Sequence, residues 1–526
     1  MEKTRGVVAA GSRLTAEAGA AMLQNGGNAF DAVVASTMMS FLAESTLSGL
    51  GGSGFALAFE ASSGKSFVLD FFSVAPRQPC GQELDFHRVE CGYGTSGAEE
   101  VVHIGRASSA VPGNPVGLLE LQQQYGRLPI REVVAPAVAA CRQGVELTPE
   151  QALNNSIYRA VVTHTPEMQT FYMVDTEFKT AGSLMRLPEL GDTLELLAEE
   201  GTRAFREGDL GRRIVEDQSS HGGLISFEDL RCYRTVRRRP LQFAEGKRVF
   251  LTNPPPSLGG TLIRLSRMLR SKVGLAGLRA FSTDELERIA EIMRWTEIAR
   301  HEHGNDPDRL SALSVDGYLS ELAGRLMASL GLPAGERPPP APLKLAPSTT
   351  QISVLDADGN AVALTTSPGY LAGYFVPGTG MSMNNMMGEP DLNPDGFHRI
   401  PPGTRITSMM SPTLVLEDRA PVLSTGSGGG SRLRGAILQT LHRHLDRGMP
   451  LEEAVNSPRV HLAGGTLHVE PGFPDQAVEG LARRGYRLNR FESRDLYFGG
   501  THTACRRNGQ LTGAGDARRE GAVCLV

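Results

Sequence analysis

The sequence lacks the features that place a protein in a membrane or in a nucleic-acid complex. No window approaches about 18 uninterrupted apolar residues, and the opening MEKTRGVVAAGS has neither the positive start, the apolar run nor the cleavage site of a signal peptide. The formal net charge is -5, whereas a polyanion partner needs a gathered basic excess. We therefore expect a cytoplasmic protein that binds neither nucleic acid nor membrane.

Metal-binding and disulfide patterns are also missing. The six cysteines form no C-x-x-C pair, which is typical of reduced thiols rather than of a disulfide framework or a zinc site. Two H-x-H pairs, His301/His303 and His442/His444, lie in helical segments where positions i and i+2 point to different sides. We interpret them as surface histidines and expect neither a metal nor an organic cofactor.

What is present describes a large globular chain: 526 residues, of which 40% are hydrophobic and 21% charged. Residues 12–46 predict two helices separated by a glycine break, and helical periodicity dominates 113–215 and 284–330. Between the first helices and the rest, TLSGLGGSGFALAFE predicts a strand buried on both faces. Residues 332–347 are proline-rich, which predicts an extended, poorly packed connector.

A hairpin is predicted directly behind this connector. TTQISVLD and NAVALTTS flank Ala357-Asp358-Gly359, and a connection of three residues ending in glycine is a favoured hairpin loop. If Asp356 pairs with Asn360, then Ile352 faces Leu364 and Thr349 lies opposite Ser367. The register thus sets one hydroxyl across from another.

Successive blocks of this sequence resemble the gamma-glutamyltransferase (gamma-glutamyltranspeptidase) family of N-terminal nucleophile hydrolases. They include SGLGGSGF, AVPGNPVGLLELQQQYGRLP, NPPPSLGG, TTQISVLDADGNAVALT, SMMSPTLVL, TGSGGGSR and AVNSPRVH, and they run in family order from about residue 6 to 462. The resemblance implies an α+β fold, a four-layer αββα sandwich. It also implies that two subunits, 1–348 and 349–526, arise from one precursor and form this sandwich jointly.

The same resemblance implies self-cleavage between Ser348 and Thr349, which makes Thr349 a new amino terminus. A threonine hydroxyl is a weak nucleophile, but a freed α-amine titrates near about pH 8 and accepts its proton. Thr349 is therefore expected to be nucleophile and base in one residue. Thr350 is the alternative candidate for the nucleophile, although its side chain would point to the face of the sheet opposite the Ser367 hydroxyl.

The resemblance assigns three further catalytic residues. Ser367 stands where the family has a threonine that hydrogen-bonds the nucleophile. Gly429 and Gly430 match a glycine pair whose backbone N–H groups hold the oxyanion, a task that needs close main-chain approach to the substrate. A phosphate-binding loop is the alternative interpretation of GSGGGSRL, but that stretch lacks the lysine–serine/threonine ending.

The substrate clamp departs from the family pattern. By an ungapped reading, the arginine that binds the glutamyl carboxylate falls on Gly81, and the asparagine that binds the amino group falls on Gly369. The serine pair becomes Ser408 and Met409, and the last two clamp residues become Met386 and Glu389. Two methionines indicate a more apolar or differently shaped acyl group. Arg77 or Arg405 could supply a displaced carboxylate clamp.

We therefore expect an autoprocessed amidohydrolase or acyltransferase that acts on a small-molecule amide, either a gamma-glutamyl amide or a similar one. The alternatives are a relative with a non-glutamyl substrate, of the oxamate amidohydrolase or cephalosporin/glutaryl acylase type, and a catalytically inactive family member. A nucleotide-binding enzyme is a third interpretation. The sequence does not decide between hydrolysis and transfer of the acyl group. It also leaves open the pathway and the oligomeric state, which includes a possible homo-oligomer of heterodimers.

Overall fold

The computed structural model describes residues 4–77, 83–92, 99–304, 313, 316–339 and 348–526. Its two main sheets are antiparallel. The first sheet has seven strands, in spatial order Val236–Arg238, Lys65–Phe71, Ser53–Glu60, Ala361–Ser367, Thr350–Asp356, Gly6–Ala10 and Ala522–Leu525. The second sheet has six, in the order Leu241–Glu245, Arg248–Thr252, Thr413–Glu417, Ala420–Thr425, Thr503–Arg507 and Gln510–Ala514.

Helices and short ladders surround these sheets. The main α-helices are Arg13–Gln24, Ala29–Ala43, Asn114–Tyr125, Ile130–Gln143, Pro149–Ile157, Pro166–Tyr172, Pro188–Glu200, Asp209–Ser220, Leu258–Lys272, Thr283–His303, Asp316–Ser329, Leu433–Leu441 and Asp475–Arg483. Shorter helices are Arg159–Val162, Thr202–Arg206, Phe227–Cys232 and Leu451–Asn456. Smaller sheets pair His87–Gly92 with Glu99–Ile104, and Val460–Ala463 with Thr466–Val469 and Arg487–Arg490. Two-residue ladders join Phe375–Val376 to Met381–Ser382, Ser427–Gly428 to Gly500–Thr501, Val145–Glu146 to Leu184–Met185, and Met173–Val174 to Glu177–Phe178.

The strands of the first sheet are apolar on both faces, and each face supports a different core. Ile352 and Val354 pack into the cluster that includes the helix Ala29–Ala43, whereas Leu355 packs with Leu414 and Leu416 of the second sheet. Alternate side chains of a strand point to opposite faces, so one strand serves both cores. The prediction of mixed helical and sheet structure is confirmed, as is the buried strand at Ser53–Glu60.

The predicted hairpin is confirmed in its register. Ile352 pairs with Leu364 and Val354 with Val362, and Gly359 adopts a positive φ of 96° in the turn. Asp356 fixes the turn, because its carboxylate accepts from the backbone N–H of Asn360 at 2.9 Å. The same carboxylate accepts from the N–H of Ala29 at 3.0 Å, which ties the hairpin to the first turn of a buried helix.

The two-helix prediction for residues 12–46 also holds. The helices are Arg13–Gln24 and Ala29–Ala43, and Gly26 between them has a φ of 88°. Asn28 caps the second helix through a capping box with Asp31. Within the described ranges, no helix combines the length and apolar character needed to cross a membrane.

The expectation of surface histidines is wrong for His442. Its side chain is buried, with Nδ1 at 3.0 Å from Asp446 Oδ2 and Nε2 at 3.2 Å from Glu285 Oε1. Burial with two acidic partners is how a protein core accommodates such a group. Asp446 lies four residues further along the same helical segment, whereas Glu285 reaches His442 through tertiary packing, which the local sequence does not indicate.

The connector 332–347 is not poorly packed throughout. Residues 340–347 lie outside the described part of the chain, but Arg337 is almost wholly buried. Its guanidinium donates to Glu287 at 2.7 Å and to the Tyr486 hydroxyl at 2.8 Å, and it lies 3.0 Å from Glu291. This ion-pair cluster anchors the first half of the connector to the helix Thr283–His303.

Replacement of Arg337 by alanine should destabilise the protein, because Glu287 and Glu291 would each lose one of their two arginine partners and a buried cluster would be broken. Breaking a buried pair from one side typically costs about 3–5 kcal/mol. The measurement is the midpoint of thermal unfolding. Arg483→Ala is the matched control, since that arginine is 66% exposed and pairs only with Glu479. Equal midpoints for the two variants would contradict the anchoring role.

Candidate active site

Thr349 and Ser367 meet at the end of the central hairpin, as the register predicts. Thr350 pairs with Thr366, so the next pair outward is Thr349 opposite Ser367. The Thr349 hydroxyl donates to the carbonyl oxygen of Ser348 at 2.5 Å, and the Ser367 hydroxyl donates to the same oxygen. Two hydroxyl groups therefore converge on the carbonyl of the peptide bond that precedes Thr349.

Further contacts hold this peptide bond in place. The Ser348 hydroxyl donates to the carbonyl of Thr46, and the guanidinium of Arg519 donates to the carbonyl of Thr349 at 2.9 Å. The backbone N–H of Gly369 donates to Ser367 Oγ at 2.9 Å, which leaves that hydroxyl's own proton for Ser348. The Ser348–Thr349 unit is thus bound on both sides and is buried.

Thr350 points to the other face of the sheet. Its hydroxyl donates to Glu44 at 2.6 Å, and Thr15 donates to the same carboxyl group at 2.6 Å. Burial raises the pKa of Glu44, and the two hydroxyl donors partly oppose that increase. The geometry agrees with the expectation that Thr350 is separated from Ser367.

The glycine-rich loop closes the site from the second sheet. A Cβ on Gly428 would lie 2.2 Å from the carbonyl oxygen of Thr349, so only glycine permits this approach. Gly429 and Gly430 have φ values of 115° and 54°, and a helical turn begins at Gly430 and leads into the helix Leu433–Leu441. Gly430 lines the cavity beside Thr349, whereas Gly429 lies one residue behind it.

A small cavity opens at this point. Its volume is about 50 Å³, which is above the minimum of roughly 10–15 Å³ that a cavity needs to hold a water molecule. It brings together most of the residues predicted from the sequence: Thr349, Ser367, Gly430, Met386, Glu389, Ser408 and Met409. The expected catalytic residues and the replaced substrate clamp therefore share one site.

The predicted arginines do not reach this cavity. Arg77 is exposed, and its backbone N–H donates to Asp229 at 2.8 Å. Arg405 donates to the Tyr233 hydroxyl at 2.9 Å and lies 3.7 Å from Asp70. Neither arginine is among the residues that line the cavity. Gly81, the other predicted clamp position, lies outside the described residues.

Several residues that line the cavity were not predicted from the sequence as site residues. Their shared feature is that they flank predicted positions or end a buried strand; they are Phe72, Asp391, Leu392, Met410 and Leu433. Gly369, expected only as a replaced clamp position, also lines the wall. Met410 and Asp391 follow Met409 and Glu389 closely, so proximity in sequence was an available signal. Phe72 carried no such signal, because only the folded sheet brings its strand to Thr349.

The cavity contains an unusual acid. Burial first, and the charge of Asp391 second, raise the pKa of Glu389 to about 8. A neighbouring buried acid, Glu100, accepts a hydrogen bond from the Tyr370 hydroxyl, and burial holds its pKa well above the usual value. Pockets with such perturbed acids are candidates for functional sites.

One group in the described part of the chain has the composition of a metal site, and it does not line the cavity. Asp85, His87 and His164 place ligand atoms within 4.8 Å of one another. The Asp85 carboxylate already accepts from the Arg106 N–H at 2.8 Å and lies 3.4 Å from its guanidinium. A guanidinium in this position opposes a bound cation.

Known proteins resemble this chain over nearly its whole length. The "Acylase ACY 1 proenzyme" of Pseudomonas sp. (strain V22) is 30% identical over 99% of this chain and 94% of its own length. The "Glutathione hydrolase proenzyme" of Escherichia coli (strain K12) is 29% identical over 98% and 90%. A crystal structure of cephalosporin acylase from Bacillus halodurans superimposes with a TM-score of 0.82 at 26% identity, covering 99% of this chain and 96% of that one.

These relatives are named as hydrolases and acylases, and the present protein is an enzyme of that class. A family model described as Gamma-glutamyltranspeptidase matches residues 15–526. The chain belongs to the gamma-glutamyltranspeptidase family, which confirms the resemblance found in the sequence.

Proposed function

We propose that the protein is an autoprocessed amidohydrolase or acyltransferase with an N-terminal threonine nucleophile. The subunits would be residues 1–348 and 349–526, which together form a four-layer αββα sandwich. The observation that carries the proposal is the convergence of the Thr349 and Ser367 hydroxyls on the Ser348 carbonyl at the cavity wall. The word "proenzyme" in the names of two relatives supports the processing step.

Self-cleavage follows from this geometry in two steps. Thr349 Oγ1 attacks the carbonyl carbon of Ser348, and the peptide N–C bond breaks to give an ester and a free amine. Water then hydrolyses the ester, which leaves a carboxylate on Ser348, restores the Thr349 hydroxyl and frees its α-amine. The Ser367 hydroxyl donates to the oxygen on which negative charge develops.

Turnover uses the product of that cleavage. The α-amine of Thr349 takes the hydroxyl proton as the oxygen attacks the amide carbonyl of a substrate, and it returns the proton to the leaving amine. The backbone N–H groups at Gly429 and Gly430 stabilise the oxyanion of the tetrahedral intermediate. The acyl group stays on Thr349 Oγ1 until water or an acceptor amine removes it.

The cavity favours an acyl group other than gamma-glutamyl. Phe72, Met386, Met409 and Met410 form apolar walls, and among the described lining residues there is no lysine, arginine or histidine to pair with an α-carboxylate. A gamma-glutamyl amide stays a candidate because some relatives are named glutathione hydrolases, but a non-glutamyl small amide is the candidate that these walls favour.

Replacement of Thr349 by alanine should abolish processing, because no hydroxyl would remain to attack Ser348. A denaturing gel should show two fragments for the wild-type chain, residues 1–348 and 349–526, and one intact chain for the variant. Thr350→Val is the matched control: it removes the neighbouring hydroxyl and should still be cleaved. Mass spectrometry that finds active wild-type protein uncut, or cut elsewhere, would overturn the proposal.

Replacement of Ser367 by alanine should slow self-cleavage. The loss of one donor to a developing oxyanion typically reduces a rate by about 10²–10³-fold. Ser367→Thr retains the hydroxyl and should mature at a rate close to that of wild type. The measurement is the time course of fragment appearance in purified precursor, and equal rates for Ser367→Ala and wild type would remove Ser367 from the mechanism.

A further inference from the structure

Glu389 is a buried carboxyl group with an unsatisfied oxygen at the cavity wall. The residue is 5% exposed, and its Oε1 has no hydrogen-bond partner among the described residues. Gly369 makes room for it: a Cβ at that position would lie 2.2 Å from Oε1. An unpartnered buried polar atom carries a desolvation penalty unless a ligand satisfies it.

The charges around Glu389 are mostly of its own sign. Asp391 lies on the same loop and also lines the cavity, and Glu100 is close enough to interact with both acids. Arg432 interacts with Glu100 and stacks over the Tyr497 ring at 4.8 Å, but it does not line the cavity. After the proposed cleavage, the α-amine of Thr349 joins this set of titratable groups.

This environment keeps the Glu389 carboxyl protonated at neutral pH, since burial first and Asp391 second raise its pKa to about 8. A protonated carboxyl carries one O–H donor. The cavity wall therefore offers a hydrogen-bond donor that bears no charge, next to methionine and phenylalanine side chains.

We propose that Glu389 is a specificity-determining residue that donates a hydrogen bond to an oxygen of a short, uncharged acyl group. The inference rests on the proposed function and names its substrate class. An acyl group with a carboxylate would meet Asp391, and the described lining residues include no lysine, arginine or histidine to pair with it. An acyl group with an ammonium would lose its water against apolar side chains. The small volume of the cavity favours a short acyl chain.

The test compares three acyl para-nitroanilides of matched length on the mature enzyme. The glutaryl compound ends in a carboxylate, the glutaramoyl compound in a neutral amide, and the delta-aminovaleryl compound in an ammonium. We expect kcat/KM for the glutaramoyl compound to exceed the other two by roughly tenfold or more, as for a site that hydrogen-bonds one class of group. A preference for either charged compound would overturn the proposal.

The pH dependence gives a second readout. KM for the glutaramoyl compound should rise as the pH increases through about 8, because Glu389 then loses the proton that it donates. The α-amine of Thr349 has the opposite dependence, since its neutral form is the base and kcat should rise with pH. A KM that falls or stays constant over this range would show that binding of this neutral compound does not use the Glu389 proton, and the proposal would fail.

Two variants distinguish a role for the Glu389 hydrogen-bond donor from a role for its negative charge. Glu389→Gln keeps a neutral donor and should hold kcat/KM for the glutaramoyl compound within about threefold of wild type, with the rise in KM abolished. Glu389→Leu should lose roughly tenfold. A strong loss in Glu389→Gln overturns the proposal.

The denaturing gel distinguishes failure of the acyl assignment from failure of the proposed self-cleavage. If the chain is cleaved at Thr349 but turns over none of the three compounds, the acyl assignment is overturned and self-cleavage stands. If the wild-type chain is never cleaved, the proposed function and this inference are both overturned.

Discussion

The position of one hairpin determines the geometry of the site. The strands Thr350–Asp356 and Ala361–Ser367 lie in the middle of the first sheet, with neighbours on both sides. Side chains of the hairpin belong to two cores, so a slip of one residue would exchange every core side chain between faces. The cores therefore fix the register, and the register fixes Thr349 opposite Ser367. The convergence of the Thr349 and Ser367 hydroxyls on the Ser348 carbonyl is thus a consequence of core packing several residues away along the strands.

This dependence explains why the centre of the site was predictable. The loop ending in Gly359, the alternation of the strands and the family resemblance all indicate the same pairing, and the structure has it. The loop and the alternation are local signals, carried by fewer than twenty consecutive residues of the printed sequence. Ser408, Glu389 and the methionines came from matched motifs, and they also reach the cavity.

The rest was decided by tertiary contacts that no local pattern encodes. Arg77 and Arg405 have the right chemistry for a carboxylate clamp, but neither lines the cavity: Arg77 is exposed, and Arg405 contacts Tyr233 and Asp70. Arg337 stands in a proline-rich stretch typical of a loose connector, and a buried ion-pair cluster fixes it. Charged residues are the hardest to place from sequence, because their positions depend on partners distant in the chain.

The sheet order bears on what a cut between Ser348 and Thr349 would do. In the first sheet, the strand Gly6–Ala10 lies between Thr350–Asp356 and Ala522–Leu525, and Ser53–Glu60 pairs with Ala361–Ser367. Each of these ladders joins a strand from before the cut to one from after it. Separation of the pieces would break several ladders and expose two cores at once.

Side chains add to this connection along the helix Thr283–His303. Its acids Glu285 and Glu297 pair at 2.6 Å with Arg447 and Arg434, which follow the cut. A single broken peptide bond therefore frees a terminus without freeing a subunit. Because strands from both pieces alternate in one sheet, Thr349 can be a chain terminus and still lie at the end of a central strand. An N-terminal nucleophile with a fixed hydrogen-bond partner requires this arrangement.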